Sequence, residues 1–341
     1  NSYKVDVAAG DLILHAALRA GVPLAYSCAS GTCGACVAQV MEGALENRWP
    51  DAPGLSARMR QAGRVLSCQS AVTSPVRLRA SEGAACIRSL LPVPDYHVGR
   101  LVKTVALAPG VTELQLQLDC AFTFIPGQFI LVWFDGLSGP RALSISNVER
   151  FPVDRVRLLV KPRQGGEFDA LLRSADSSGM PLQVFGPLGS ACLYDESAHG
   201  EITCVAGSTG IAPMLPILFD WVHRRAPGSA RLVYGVRTGE DTVLLNEVID
   251  LAKRSDGRLD VVIALSEPRD GDVNNLQKQV RDFGRVVAGY AHDAVRELAS
   301  DGSLSGIAFV SGPKPMVQAT VKTLIVHGKL NPLAIRSDDF G

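Results

Sequence analysis

The chain has 341 residues, 34 Lys and Arg balanced by 34 Asp and Glu, and 47% hydrophobic content. Zero net charge argues against a nucleic-acid partner, whose phosphates select a basic surface. No apolar run reaches the ~18 residues of a membrane span and no secretory signal peptide opens the chain, so a cytoplasmic protein of two or three domains, with no membrane partner, is expected. The sequence begins at Asn1 rather than Met, and a few residues are expected to precede it.

Residues 1–82 read as the first module. Residues 11–21 carry an amphipathic helical pattern closed by Gly21. The loop Ser27-Cys28-Ala29-Ser30-Gly31-Thr32-Cys33-Gly34-Ala35-Cys36 follows, with Cys68 downstream. C-x4-C-x2-C with a distant fourth cysteine is the ligand pattern of a plant-type [2Fe–2S] cluster, so Cys28, Cys33, Cys36 and Cys68 are the expected metal ligands. Small residues between them let backbone N–H groups turn toward the sulfurs. Zinc is disfavoured because structural sites join two close-spaced couples and Cys68 has no nearby partner. A disulfide framework is disfavoured by eight cysteines in so long a chain. Rieske ligation needs histidines beside cysteines, and the six histidines are scattered. Cys86, Cys120, Cys192 and Cys204 read as ordinary thiols.

A short strand is expected over residues 37–40, a turn-rich excursion over 49–54 before a short helix, an edge strand over 76–79, and a linker over 83–96 with Pro92 and Pro94. Residues 97–195 change to short alternating strands (113–118, 126–132, 156–160, 182–185), which suggests a small antiparallel β-barrel. Residues 200–341 alternate strand, Gly-rich turn and helix. The apolar runs at 202–206, 232–235, 261–265 and 307–310 suit a buried parallel sheet.

In the barrel segment Arg141-Ala142-Leu143-Ser144 opens a strand, and Gly165-Gly166-Glu167-Phe168 starts a helix. A helix N-terminus with close backbone approach can seat a pyrophosphate, and an arginine can clamp it. A Gly-Gly pair before a helix is more often just a turn. In the last segment Gly207-Ser208-Thr209-Gly210-Ile211-Ala212-Pro213 is a glycine turn leading into a helix, and Ser311-Gly312-Pro313 stands at a second strand-to-helix switch, where α/β sheets bind ligands. Either turn also fits an ordinary βα connection.

The order of the three segments resembles the ferredoxin-fused members of the ferredoxin–NAD(P)H reductase superfamily, the reductase components of bacterial aromatic ring mono- and dioxygenases. Residues 49–55 are similar to the toluene and xylene monooxygenase reductases, and the tail Ser337-Asp338-Asp339-Phe340 to their aromatic-ended termini. The resemblance implies a β-grasp [2Fe–2S] ferredoxin domain (1–82), a linker (83–96), an FAD-binding β-barrel (97–195) and an NAD(P)H-binding α/β domain (200–341). It also implies that Arg141 clamps FAD phosphate, that Ala142, Leu143 and Ser144 line the isoalloxazine with Ser144 a donor near N5, and that Leu159, Val160 and Lys161 belong to the flavin site. Gly165, Gly166, Glu167 and Phe168 correspond to the pyrophosphate loop. Gly207, Thr209, Gly210, Ile211 and Pro213 correspond to the nicotinamide-nucleotide loop, with Ser311, Gly312 and Pro313 beside the nicotinamide and Phe340 as an aromatic cover or a frayed end. Ser144, Ser311 and Phe340 are the expected catalytic residues.

Three positions depart from the family pattern. Leu143 replaces a stacking tyrosine and loses its π-face. Ser311 replaces the usual cysteine. Asp169 replaces a frequent serine, and because a carboxylate beside a phosphate would repel, it is expected to point away or to sit further along the helix.

By resemblance the cofactors are FAD, the [2Fe–2S] cluster and NADH, with NADPH left open through Arg237, which can accept a 2′-phosphate, although Glu240 and Asp241 stand close. Hydride from NADH would pass to FAD, and single electrons through the cluster to a terminal oxygenase or intermediate ferredoxin. Residues 1–85 hold eight Lys/Arg and six Asp/Glu, so docking is expected through a local patch near Arg58, Arg60 and Arg64. Rieske, diiron and deoxysugar-pathway clients stay open. The rival class is a flavin-free iron–sulfur carrier, in which Leu143 and Ser311 mark a decayed reductase.

Overall fold

The computed structural model describes residues 1–83, 90–148, 152–174, 178–193, 200–300, 302 and 304–340. Cys86, His199 and the expected barrel end at residue 195 lie outside the described residues. The chain divides into two compact units: residues 1–99, 129–143 and 181–189, and residues 100–128, 144–180 and 190–341.

The first unit opens with helix α1 (Ile13–Arg19), then β1 (Val37–Glu42), β2 (Leu45–Asn47), α2 (Ala57–Gln61), β3 (Arg64–Leu66), a 3-10 turn (Ser67–Gln69), β4 (Ser70–Val72) and β5 (Arg77–Ala80). β1 is the centre of an antiparallel sheet ordered β3-β1-β5, and β2 pairs with β4. This is the expected ferredoxin module.

Helix α1 differs from the amphipathic expectation, because Ile13, Leu14, His15, Ala16, Ala17 and Leu18 are all buried. One side of it packs on the turn that carries Cys68. The other meets two strands distant in sequence, β8 (Phe129–Phe134) and β11 (Pro181–Leu188), through His15 against Trp133 and Phe185. Leu14, Leu18, Cys36 and Cys68 share one core with Phe129, Leu131, Phe185 and Leu188. Burial on both sides removes the polar face that a surface helix would show.

Six strands form a curled antiparallel sheet in the order β10-β7-β6-β11-β8-β9, completed by β6 (Asp95–Ala108), β7 (Val111–Phe122), β9 (Arg141–Ser144) and β10 (Val153–Val160). β11 pairs with β8 in the first unit, and β10 with β7 in the second. The alternation over 113–118 belongs to β7, in which Leu114, Leu116 and Leu118 are buried. β6 was not expected, since its side chains do not alternate cleanly between buried and exposed.

In the second unit a seven-residue helix, α3 (Glu167–Arg173), follows β10. Next come β12 (Ile202–Gly207), α4 (Ile211–His223), β13 (Ala230–Val236), α5 (Leu245–Arg254), β14 (Leu259–Leu265), α6 (Asp272–Val280), β15 (Gly284–Ala288), α7 (Ala291–Ser300), β16 (Ile307–Pro313), α8 (Lys314–Val326) and β17 (Ile335–Phe340). The sheet is fully parallel, in the order β15-β14-β13-β12-β16-β17. Separate apolar cores cover its two faces, which explains the continuous apolar runs. The two outermost strands, β15 and β17, were not expected, because edge strands bury less and β17 carries Asp338 and Asp339. After β15 the chain returns to the far side of β12, so the carboxyl ends of β12 and β16 flank the topological switch point.

Candidate functional site

The cysteines fall into two pairs. Cys28 Sγ accepts the N–H groups of Ser30 and Cys33 at 3.4 Å, and Cys33 Sγ accepts those of Cys28 and Ala35 at 3.5 and 3.4 Å. Cys36 Sγ lies 3.2 Å from Cys68 Sγ. Cys33 is exposed and Cys28 half-buried, whereas Cys36 and Cys68 are buried. Among the described residues no three His, Cys, Asp or Glu side chains gather as a single ion requires. Two thiolates for each of two irons is what a [2Fe–2S] cluster takes. The bond from the Cys33 thiol draws Cys28 down to about 3, and the bond from the Cys68 thiol lowers Cys36. Cys33 and Cys68 are held up by the same bonds and by burial. A cluster takes all four as thiolates, so its binding releases whatever protons they carry.

A second loop braces the cluster loop. Gly54 N–H donates to Gly31 O at 3.0 Å, and the Trp49 ring lies over Gly31. Gly34 has φ +80°, and a Cβ there would sit 2.6 Å from Gly54 O. Arg60 Nη1 donates to Pro50 O at 3.0 Å and holds the brace to α2. The turn-rich stretch at 49–54 is thus part of the cluster cradle.

Of the expected flavin residues, Arg141, Ala142 and Leu143 lie in the first unit and the others in the second. Arg141 Nη1 donates to Ser138 O and Gly139 O at 3.0 and 3.2 Å and shapes the loop before β9. Leu143 is half-buried and Ser144 buried. Two residues on, the buried Ser146 Oγ has no hydrogen-bond partner among the described residues. Leu159 and Val160 end β10 as buried side chains. Gly165 and Gly166 precede α3 as expected, and of the two placements open to Asp169 it lies further along, inside α3. Its carboxylate accepts Gly165 N–H at 2.9 Å and Arg173 Nε–H at 3.0 Å, bonds that lower its pKa. Asp169 thus fastens the glycine turn to the helix.

At the switch point, β12 ends in Gly207 and continues through Thr209 and Gly210 into Ile211 and Pro213 of α4. A Cβ on Gly210 would collide with the Ser311 carbonyl, and one on Gly207 would meet Met316 and Pro313. These close approaches bring Gly207, Gly210, Ser311, Gly312 and Pro313 together. Ser311 is fully buried, and its Oγ has no partner among the described residues. Phe340 stands in β17 in register with Pro313.

Arg237 and Lys161 converge on Asp241, at 3.8 and 3.7 Å. Burial raises the Asp241 pKa, but the Thr238 hydroxyl (2.9 Å), the Thr238 N–H (3.2 Å) and both cations bring it down overall. Glu240 pairs with Arg269 at 2.7 Å. The acidic residues beside Arg237 are thus committed to protein cations.

Residues 1–73 match the 2Fe-2S iron-sulfur cluster binding domain, and residues 204–322 the oxidoreductase NAD-binding domain. The ferredoxin–NAD(+) reductase component of the alkene monooxygenase system of Xanthobacter autotrophicus is 35% identical, over 89% of this chain and 88% of its own length. A ferredoxin–NAD(P)(+) reductase of Metapseudomonas resinovorans is 30% identical, over 94% of this chain and 92% of its own. The chain belongs to the reductase components of oxygenase systems. The solved ferredoxin reductase in carbazole 1,9a-dioxygenase superimposes with a TM-score of 0.83 at 27% identity, covering all of this chain and 96% of its own. An Amycolatopsis cytochrome P450 reductase gives 0.80 at 25% identity, covering all of this chain and 97% of its own.

The chain is accordingly an oxidoreductase that carries electrons from NAD(P)H through FAD to a [2Fe–2S] cluster. The paired cysteines fit the cluster, and the unpartnered hydroxyls of Ser146 and Ser311 suit ligands that bring their own donors and acceptors. Sequence reading missed Asp241 as an anchor, Ser146, and the packing of Met316 on the glycines. Ser146 had a signal, since it follows Ser144 at the strand period of two. The contact of Met316 depends on a helix returning to the strand ends and had none.

Proposed function

We propose that this reductase takes hydride from NADH and delivers single electrons from the cluster to a multicomponent oxygenase, or to its ferredoxin, that acts on a small hydrocarbon or aromatic compound. The paired cysteines Cys28/Cys33 and Cys36/Cys68, in a module that shares its core with strands of the antiparallel sheet, carry this reading. The client class is supported by relatives named for alkene, phenol and xylene/toluene monooxygenases. When bound, FAD supplies the exchange between one hydride and two single electrons.

The chain's own residues bind and orient. Arg141 and the Gly165–Phe168 turn hold the flavin phosphates, and Leu143, Ser144, Leu159, Val160 and Lys161 line its site. Ser144 donates near the flavin ring. The Gly207–Pro213 turn and the Gly312–Pro313 edge would admit the dinucleotide, with Ser311 beside the nicotinamide and Phe340 as its aromatic cover. With Arg237 tethered to Asp241, a 2′-phosphate finds its arginine already paired, which favours NADH over NADPH. The domain division is 1–82, 97–195 and 200–341. A cytoplasmic location is part of this reading, and no described helix is long and apolar enough to cross a membrane.

Replacing Cys33 or Cys68 with Ser tests the order of carriers. NADH-driven cytochrome c reduction is expected to vanish, while ferricyanide reduction, which draws on flavin, persists. Loss of both with FAD still bound would overturn the order.

A further inference from the structure

His15 is the one fully buried histidine among the described residues, and the electron route outlined above makes no use of it. Its ring stacks on Phe185 with centroids 4.0 Å apart and planes 17° apart, and it meets Tyr96 and Trp133 edge-on at 5.7 and 5.9 Å. Nδ1 lies 2.7 Å from Tyr96 Oη, and Tyr96 donates to Asp11 Oδ1 at 3.2 Å. A carboxylate only accepts, so the Tyr96 proton belongs to Asp11, and His15 Nδ1–H must then donate to Tyr96. Nε2 is left as a bare acceptor with no partner among the described residues. Arg19 closes the surround, 3.5 Å from Asp11, 2.9 Å from Asp95, and over the Tyr96 ring at 5.8 Å. All of these groups belong to the first unit.

The neighbours give the ring a task. Helix α1 packs on the Ser67–Gln69 turn that holds Cys68, and His15 is the α1 side chain stacked on β11. Cys36 and Cys68 lie in the same core as Phe185 and Leu188. Stacking sets the height of α1 above β11. The directional chain from Nδ1 through Tyr96 to Asp11 sets the rotation of the ring, which an aliphatic side chain could not fix.

We propose that His15 is a positioning residue. It seats the cluster module on β8 and β11 at one height and register, and so governs how fast electrons reach the cluster. The proposal rests on the reductase reading above and adds the residue that fixes α1, and through it the Cys68 turn, on β8 and β11. Interfaces held by a directional polar contact inside an apolar surround keep reacting groups within fractions of an ångström, and loosening such a support can slow transfer by an order of magnitude or more.

The test is anaerobic stopped-flow mixing of the loaded enzyme with NADH, with flavin and cluster bleaching followed separately. In H15A, cluster bleaching is expected to slow on the order of tenfold. Flavin bleaching, ferricyanide turnover and the cluster midpoint potential should match wild type. H15F, which keeps the stack, should recover most of the rate, and Y96F should match H15F. Wild-type cluster bleaching in loaded H15A, or an equal slowing of flavin bleaching, overturns the proposal. If H15A does not load its cluster, H15L, which keeps bulk but neither the ring stack nor the bond to Tyr96, decides: slowed cluster bleaching supports the seat and unchanged bleaching overturns it. If wild type itself shows no NADH-driven flavin bleaching, the reductase reading fails instead. The seat is then judged by amide exchange, which must rise in H15A at both α1 and the Ser67–Gln69 turn.

Discussion

Acid should weaken the first unit through His15, and the size of the effect follows from its surroundings. Burial first, and then the Arg19 charge, lower the His15 pKa from 6.5 to about 3. Protonation would place a second N–H at Nε2, which has no hydrogen-bond partner among the described residues. Between pH 6.5 and 3 the folded state therefore binds fewer protons than the unfolded chain. The stability that comes from keeping this ring neutral is fully present above pH 6.5 and is lost as pH falls toward 3. Moving from pH 8 to pH 5.5 protonates the unfolded histidine about tenfold in excess and leaves the folded one neutral, a loss of about 1.4 kcal/mol. H15F keeps the stack on Phe185 without the titration, so it should lack this share of the acid sensitivity. Urea unfolding of wild type and H15F at both pH values isolates it, because every other titrating group is common to the two. Trp133 fluorescence reports locally, since that ring lies edge-on to His15. Equal losses in wild type and H15F would refute the reasoning.

Other substitutions probe the second unit. G210A places a Cβ against the Ser311 carbonyl, so it should raise the KM for NADH by more than about tenfold with FAD retained, and an unchanged KM would remove the glycine turn from the nucleotide site. E113Q takes from the half-buried Arg157 the carboxylate it contacts at 2.6 and 3.1 Å, leaving it Glu247 at 3.7 Å, and chemical denaturation should show a loss of about 1.5 kcal/mol; a loss below about 0.5 kcal/mol would mean the pair is dispensable. D241N releases Arg237 and Lys161 toward a 2′-phosphate, and kcat/KM for NADPH relative to NADH should rise on the order of tenfold. An unchanged ratio in paired kinetics would take Asp241 out of nucleotide selection.

Much of this arrangement was legible along the chain because it is local. The cysteine spacing specifies a cluster type, since one loop wraps most of the ligand set and only Cys68 must return. The apolar runs of β12, β13, β14 and β16 announce a buried parallel sheet, because both faces are covered. What stayed hidden depends on elements that meet from far apart. Helix α1 reads as amphipathic until β8 and β11, more than a hundred residues on, cover its second side. Edge strands β15 and β17 bury too little for a pattern, and the two aspartates of β17 disguise it as a tail. Asp169, expected to turn from the phosphate or to sit further along the helix, lies inside α3 and accepts the Gly165 N–H one helical turn back, a bond the sequence does not show. Asp241 became an anchor only when Lys161, just past the end of β10, was brought to it. Residue types announced the carriers, and long-range contacts decided how they are held.

The most direct measurement is an anaerobic titration of the holoprotein with NADH, followed by visible absorption and by electron paramagnetic resonance. Two electrons for FAD and one for the cluster require about 1.5 NADH per chain, with flavin and cluster both bleached and a paramagnetic cluster at the endpoint. An endpoint near one NADH with the cluster still oxidised, or cluster reduction with no flavin in the spectrum, would contradict the wire from nicotinamide through FAD to the paired cysteines.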